Sequence, residues 1–113
     1  MTQPARKEVW LVTLDPTTGR EQAGTRPALI TSDDTFNKGF SDLVFIIPIT
    51  SKAKKIRSHV SLLPPEGGLN LPSFIMCEAM RSVSKQRLVK RLGVISSKTM
   101  EEVEDNLRIL LDL

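Results

Sequence analysis

The stretch "LVFIIPIT", residues Leu43 to Thr50, decides what kind of chain this is. Its β-branched and aromatic side chains read as a strand. Pro48 removes a ladder donor, which predicts an edge or a bulge near the strand's end. Working outward, Arg26 to Ser32 ("RPALITS") and Glu8 to Leu14 ("EVWLVTL") read as two earlier strands, the first of them stopping at Asp15-Pro16. His59 to Leu63 and Ser73 to Cys77 read as two later ones. Between these lies "PPEGGLNLP", whose prolines and glycines demand a turn-rich loop. Ser84 to Gly93 is expected to hold a short helical turn before a last strand around Val94 and Ile95. Thr99 followed by Glu102 matches a capping box, with acidic residues crowding the first turn of a helix. Met100, Val103, Leu107, Leu110 and Leu111 then recur at helical spacing, giving one apolar face to cover the sheet. The expected fold is mainly β with a C-terminal α-helix: a strongly curved sheet or small, partly open barrel.

Composition bounds the rest. With 113 residues the chain is expected to form one domain, residues 1–113. Apolar residues make up 40% and charged residues 26%, as in globular proteins. No apolar run approaches the roughly 20 residues that span a membrane, and "MTQPARKE" lacks the apolar core of a secretory signal. Cys77 is the single cysteine and His59 the single histidine, so neither an internal disulfide nor a Cys/His zinc site can form within one chain. A reduced, cytoplasmic protein without membrane contact is expected. The formal net charge is only +3, but its distribution is uneven. Lys52, Lys54, Lys55 and Arg57 form one basic cluster, and Arg81, Lys85, Arg87, Lys90 and Arg91 a second. Glu101, Glu102, Glu104 and Asp105 compensate near the end. Such a basic face suits a polyanion, although solvated surface charge produces the same pattern.

Two long loops stand out, Asp15 to Thr25 and Ser51 to Ser58. If strand order brings Arg26 beside Thr50, a guanidinium and a hydroxyl face one pocket between them. Arginine recognises phosphate bidentately and a threonine hydroxyl donates to a phosphoryl oxygen. Lys52 and Lys54 would attract a nucleic-acid backbone. Spacing alone equally allows Arg26 a surface salt bridge to Glu21 or Asp34. His59, at a strand start, reads as structural. Phe36 and Phe40, flanking Gly39, read either as base-stacking platforms or as satellite packing.

"EVWLVTLDPTTGREQAGTRPALITSDDTFN" resembles the N-terminal signature of the MazF/PemK/Kid family of toxin endoribonucleases: a Trp-containing strand, an Asp-Pro turn, Gly-x-Glu-Gln-x-Gly-x-Arg-Pro, then an apolar strand. "IPITSK", the His59-Val60 strand start and "CEAMRSVSKQRL" extend the similarity from Lys7 to about Leu110. The resemblance implies a CcdB/MazF-like, SH3-related barrel, a homodimer, and the toxin role in a toxin–antitoxin pair. It implies sequence-specific cleavage of single-stranded RNA, usually mRNA, without metal or cofactor, through attack of the 2′-OH on the phosphate. It also implies inhibition by an acidic antitoxin segment. By position, Arg26 matches the catalytic arginine and Thr50 the catalytic threonine or serine. Glu21 and Gln22 match a substrate-contacting pair, and Ser51, Lys52, Glu78, Arg81 and Arg87 fall at RNA-contacting positions. Either carboxylate, Glu21 or Glu78, is a candidate to assist the 2′-OH. Ala79, Met80 and Met76 depart from the family: a glutamine is missing at position 79, and Met76 replaces an arginine of some branches. Two rival functions share the fold or its surface, a gyrase-poisoning toxin and a non-catalytic RNA-binding barrel.

Overall fold

The structure, a computed structural model, describes residues 3–14 and 24–113. Seven antiparallel strands form an open sheet: β1 (Glu8–Thr13), β2 (Thr25–Ile30), β3 (Leu43–Thr50), β4 (His59–Leu62), β5 (Ser73–Met76), β6 (Arg81–Ser84) and β7 (Leu88–Val94). Their order is β4-β5-β3-β2-β1-β7, with β6 also paired to β3. Two helices accompany them, α1 (Asp34–Lys38) and α2 (Ser97–Leu111).

β3 is the hub. One side pairs with β2, setting Ala28 opposite Pro48. Its other side is shared: β6 takes Leu43 to Ile46, and β5 takes Ile49 and Thr50. Pro48 therefore lies in a central strand rather than at an edge, but it falls in the gap between β6 and β5. That side of β3 asks for no backbone donor there. The gap is bridged by a 3-10 turn, Cys77–Ala79.

Neighbouring residues on the central strands enter different cores. Val9, Leu29, Ile47 and Ile49 pack with Val60, Leu62, Ile75, Met100 and Val103, on the face covered by β4, β5 and α2. Trp10, Ala28, Ile30, Val44 and Ile46 pack with Val12, Leu14, Val83 and Leu88 on the other face, within the curve of β6, β3, β2, β1 and β7. Side chains alternate across a strand, so a strand buried on both faces must be apolar at successive positions. This is why Ile46 to Ile49 are apolar in succession, whereas Leu43 and Phe45, in the first half of β3, are exposed. At two glycines the wall is backbone on backbone. Gly68 has φ +72, and a Cβ there would stand 2.0 Å from Leu92 O; one at Gly93 would stand 2.6 Å from Gly67 C. The turn after β4 thus lies directly against β7.

Several boundaries differ from expectation. β6 and α1 were not foreseen, and β7 starts at Leu88, immediately after a 3-10 turn over Lys85–Arg87. The cap of α2 is Ser96, whose Oγ accepts from Thr99 N at 3.1 Å; the Thr99–Glu102 pattern lies inside the helix, and its first turn holds no acidic residue. Glu66 takes over the acidic role from outside, accepting from Ser96 N at 2.9 Å. Met100 and Val103 are buried and Leu107 half-buried as expected, whereas Leu110 and Leu111 are exposed beyond the end of the sheet. Phe36 stacks on Phe45, with ring centroids 5.4 Å apart and nearly parallel, so it serves packing; Phe40 is exposed.

Candidate nucleic-acid interface

At the end of β1 and β2 from which residues 15–23 depart, Arg26 pairs with Val12 and Thr25 with Thr13. Pro27 fixes extended backbone on its predecessor, and Arg26 accordingly lies within β2. The β2–β3 pairing ends at Ala28–Pro48, two residues after Arg26 on β2 and two before Thr50 on β3, and Thr50 itself pairs with Phe74 of β5. Thr50 is buried, and its Oγ1 accepts from Lys52 N at 3.2 Å, which turns the chain out of β3. Arg87 joins the same end, donating from Nη1 to Thr13 O at 3.2 Å.

A cavity of about 340 Å³ opens beside this point. Arg26, Pro27, Ile49 and Ser51 line it, opposite Gly68, Leu69 and Leu92. Thr50 is not part of its lining, so the expected facing of guanidinium and hydroxyl into one pocket is not what the cavity presents: Ser51 lines it instead. Asp34 is removed as a partner for Arg26. It sits beyond the far end of β2, accepting from Arg6 N at 2.7 Å and from Asn37 Nδ2 at 3.3 Å. Glu21 and Gln22 lie outside the described residues, as does most of the first long loop.

The remaining predicted residues gather elsewhere. Arg81 is across from Ile46, four positions down β3 from Thr50, about 13 Å along an extended strand. Glu78 lies on the neighbouring 3-10 turn, which Cys77 N ties to Ser58 O at 3.3 Å. There Ser58 Oγ donates to Glu78 Oε1 at 2.6 Å, and His59 Nε2 meets Oε2 at 2.8 Å. Burial pushes the Glu78 carboxyl up, but these two hydrogen bonds, with help from backbone N–H and the imidazole, hold it below the ordinary value. Ser51 and Lys52 are exposed on the loop between the two groups. That loop walls a second cavity of about 420 Å³, where Lys54, Lys55 and Arg57 face His59, Ser61 and Phe74.

Two features escaped the sequence. The Ser58–His59–Glu78 cluster needs the β4–β5 pairing, His59 to Met76, to bring residues 19 apart into contact. Arg91, counted in the second basic cluster, donates from Nε to Glu8 Oε2 at 2.6 Å and so serves the sheet. Cys77 is buried, and burial with the neighbouring Glu78 charge pushes its thiol up to about 11, which suits packing and not nucleophilic chemistry. Among the described residues no helix is long and apolar enough to cross a membrane.

Residues 5–111 match the family described as the PemK-like, MazF-like toxin of type II toxin–antitoxin systems, and the chain belongs to that family. Among solved structures it is similar to MazF from Deinococcus radiodurans, at 27% identity and a TM-score of 0.89, each chain covered over 100% of its length. It is also similar to a MazE–MazF complex of the same organism, at 28% identity and a TM-score of 0.81, covering 100% of this chain and 99% of that one. A mycobacterial endoribonuclease in complex with its cognate antitoxin shares the fold at 22% identity and a TM-score of 0.78, covering 100% and 97%.

Proposed function

We propose that this toxin is a metal-independent endoribonuclease that cuts single-stranded mRNA at a short sequence in the cytoplasm. The observation that supports the reading is Arg26 in the wall of the cavity with Ser51, and Arg87 held at the same strand end. In the reaction the 2′-oxygen attacks phosphorus, the bond from phosphorus to the 5′-oxygen breaks, and a 2′,3′-cyclic phosphate and a 5′-hydroxyl result. Arg26 stabilises the charge that builds on the non-bridging oxygens and protonates the leaving 5′-oxygen, regaining its proton from water. Thr50 holds a non-bridging oxygen. Arginine stays protonated at physiological pH and is a poor base, so a carboxylate takes the 2′-proton; Glu21 is in the loop leading into Arg26. About 13 Å of strand separates Thr50 from the Glu78 region, which favours Glu78 as a contact to a neighbouring nucleotide. Lys52, Ser51, Arg81 and Arg87 guide the backbone between these points, and Gln22 joins Glu21 in holding the substrate.

The same cations suit an acidic antitoxin segment, which would fold across them and block RNA. The homodimer expected for the family would cover apolar side chains that one copy leaves exposed. Arg26→Ala, assayed on single-stranded RNA in EDTA, is expected to lose roughly a hundred- to a thousandfold in rate. Near-wild-type cleavage by that variant would remove Arg26 from the mechanism. Binding without cleavage by the wild-type protein would favour a non-catalytic RNA-binding barrel.

A further inference from the structure

The His59–Glu78 contact is built differently from a surface ion pair. The His59 side chain is 3% exposed, while that of Glu78 is 38% exposed. Nε2 faces a carboxylate oxygen, which can only accept, so Nε2 carries the proton. Nδ1 is buried and has no hydrogen-bond partner among the described residues. Ser58, itself buried, donates to the other carboxylate oxygen. Each oxygen of Glu78 thus has one donor on its protein side and keeps lone pairs on its open side. His59 also forms part of the wall of the basic cavity with Lys54, Lys55 and Arg57. An acceptor with fixed orientation therefore borders a surface that attracts phosphates.

We propose that His59 is a positioning residue. With Ser58 it locks Glu78 as an acceptor-only fork that takes a hydrogen bond from a donor group of the bound RNA, away from the scissile phosphate. This rests on the ribonuclease reading for the identity of the ligand, and on the hydrogen-bond geometry for the fork itself. Such a site discriminates strongly, because a nucleotide without the donor leaves the carboxylate's desolvated lone pairs unpaired. The lock prevents the glutamate from swinging towards the nearby lysines and losing its direction.

The test uses the full chain and a single-stranded RNA oligonucleotide bearing the site mapped from wild-type cleavage of a mixed RNA pool. Gln places its amide nitrogen near the position of the imidazole Nε2, so His59→Gln should keep kcat/KM within about threefold, while His59→Ala should lose roughly tenfold or more. Ser58→Ala should move in the same direction, and it replaces His59→Ala should that variant unfold. His59→Ala cutting as well as wild type overturns the proposal. So does a His59→Gln that is as impaired as His59→Ala at equal melting temperature, since the side chain would then act by packing. Because His59 is the only histidine, its two ring nitrogens are read by 15N NMR without ambiguity. A proton on Nε2 is expected, and the signals should shift in Glu78→Gln. Unmoved signals overturn the fork even if RNA is cut. Shifted signals in a protein that cuts no RNA uphold the fork and refute the ribonuclease reading alone.

Discussion

Two glutamates in this molecule have nearly the same hydrogen-bond inventory and opposite surroundings. Glu8 Oε1 accepts from Ala5 N at 2.8 Å and Trp10 Nε1 at 3.0 Å, and its Oε2 accepts from Arg91 Nε at 2.6 Å. Glu78 is likewise held through both oxygens, by Ser58 and His59. Burial works against ionisation of both, and hydrogen bonds win in both. The difference is access. The Glu8 side chain is 13% exposed, on a paired strand and locked to a cation, whereas Glu78 is 38% exposed, on a short turn with its two donors behind it. A carboxylate enclosed on every side has spent its hydrogen-bonding capacity inside the protein. One held only from behind keeps lone pairs for something outside. Hydrogen bonding alone therefore does not mark a site, but hydrogen bonding with an open side does.

The sharpest way to break this contrast is to truncate each residue and measure both stability and cleavage. Glu8→Ala leaves a largely buried indole N–H and an arginine without their acceptor, at a cost of about 1.5–3 kcal/mol in unfolding free energy. Cleavage per folded molecule should stay at the wild-type rate. Glu78→Ala should cost about 1–2 kcal/mol in stability, because the Ser58 and His59 donors lose their acceptor on a side that water can reach, yet it should also reduce kcat/KM roughly tenfold or more. Urea melts beside initial-rate assays provide both numbers. If Glu8→Ala also lowers the rate per folded molecule, the division between structural and functional carboxylates is wrong.

How much of this was legible in the sequence follows from how local each signal is. The strand Leu43–Thr50 was readable to the residue because its apolar run is long and unbroken, and β2 because Pro27 and the apolar run behind it fix extended backbone. β6 was not: "RSVS" is four residues with two serines, and it forms because β3 leaves half of one edge open after β5 departs. The cap of α2 was misplaced because Thr99–Glu102 and Ser96–Thr99 offer rival starts three residues apart. Sequence cannot see that Glu66 arrives from the turn after β4 to support the first. Arg26 and Thr50 stood out through family resemblance; the structure puts Arg26 in a cavity wall and Thr50 at the buried end of β3. The Glu78 fork was hidden because it joins the start of β4 to the turn after β5.

Glu66 is intermediate between the two glutamates, half-buried and serving a helix end. Its carboxyl is also lowered: burial raises it, but the Ser96 N–H and the Thr99 and Ser96 side chains outweigh that effect. Ser96→Ala removes the hydroxyl that accepts from Thr99 N while leaving the backbone donor to Glu66. The expected loss is about 1 kcal/mol, seen as an earlier urea midpoint at unchanged slope. A loss near zero would show that Glu66 alone caps α2, and would place it with Glu8 as a structural carboxylate.

The smallest effect is the one that separates the glutamates by charge. Both are held below the ordinary value of 4.5 in the folded chain. A depressed carboxylate contributes stability that is complete above the unfolded value and is lost as pH falls through the folded one. Acid should therefore remove part of what Glu8 contributes, and Glu8→Gln should remove the same part at neutral pH. The gap in melting temperature between wild type and Glu8→Gln is then widest at about pH 6–7 and closes as pH falls below the unfolded value. Glu78→Gln should show a narrower gap over the same window, because solvent screens its more open side and the amide oxygen still accepts from one of its two donors. Glu66 titrates in both variants and in wild type, so it cancels from each difference. Equal gaps for the two variants would mean that Glu78 is as enclosed as Glu8, and the open side on which its proposed role depends would be lost.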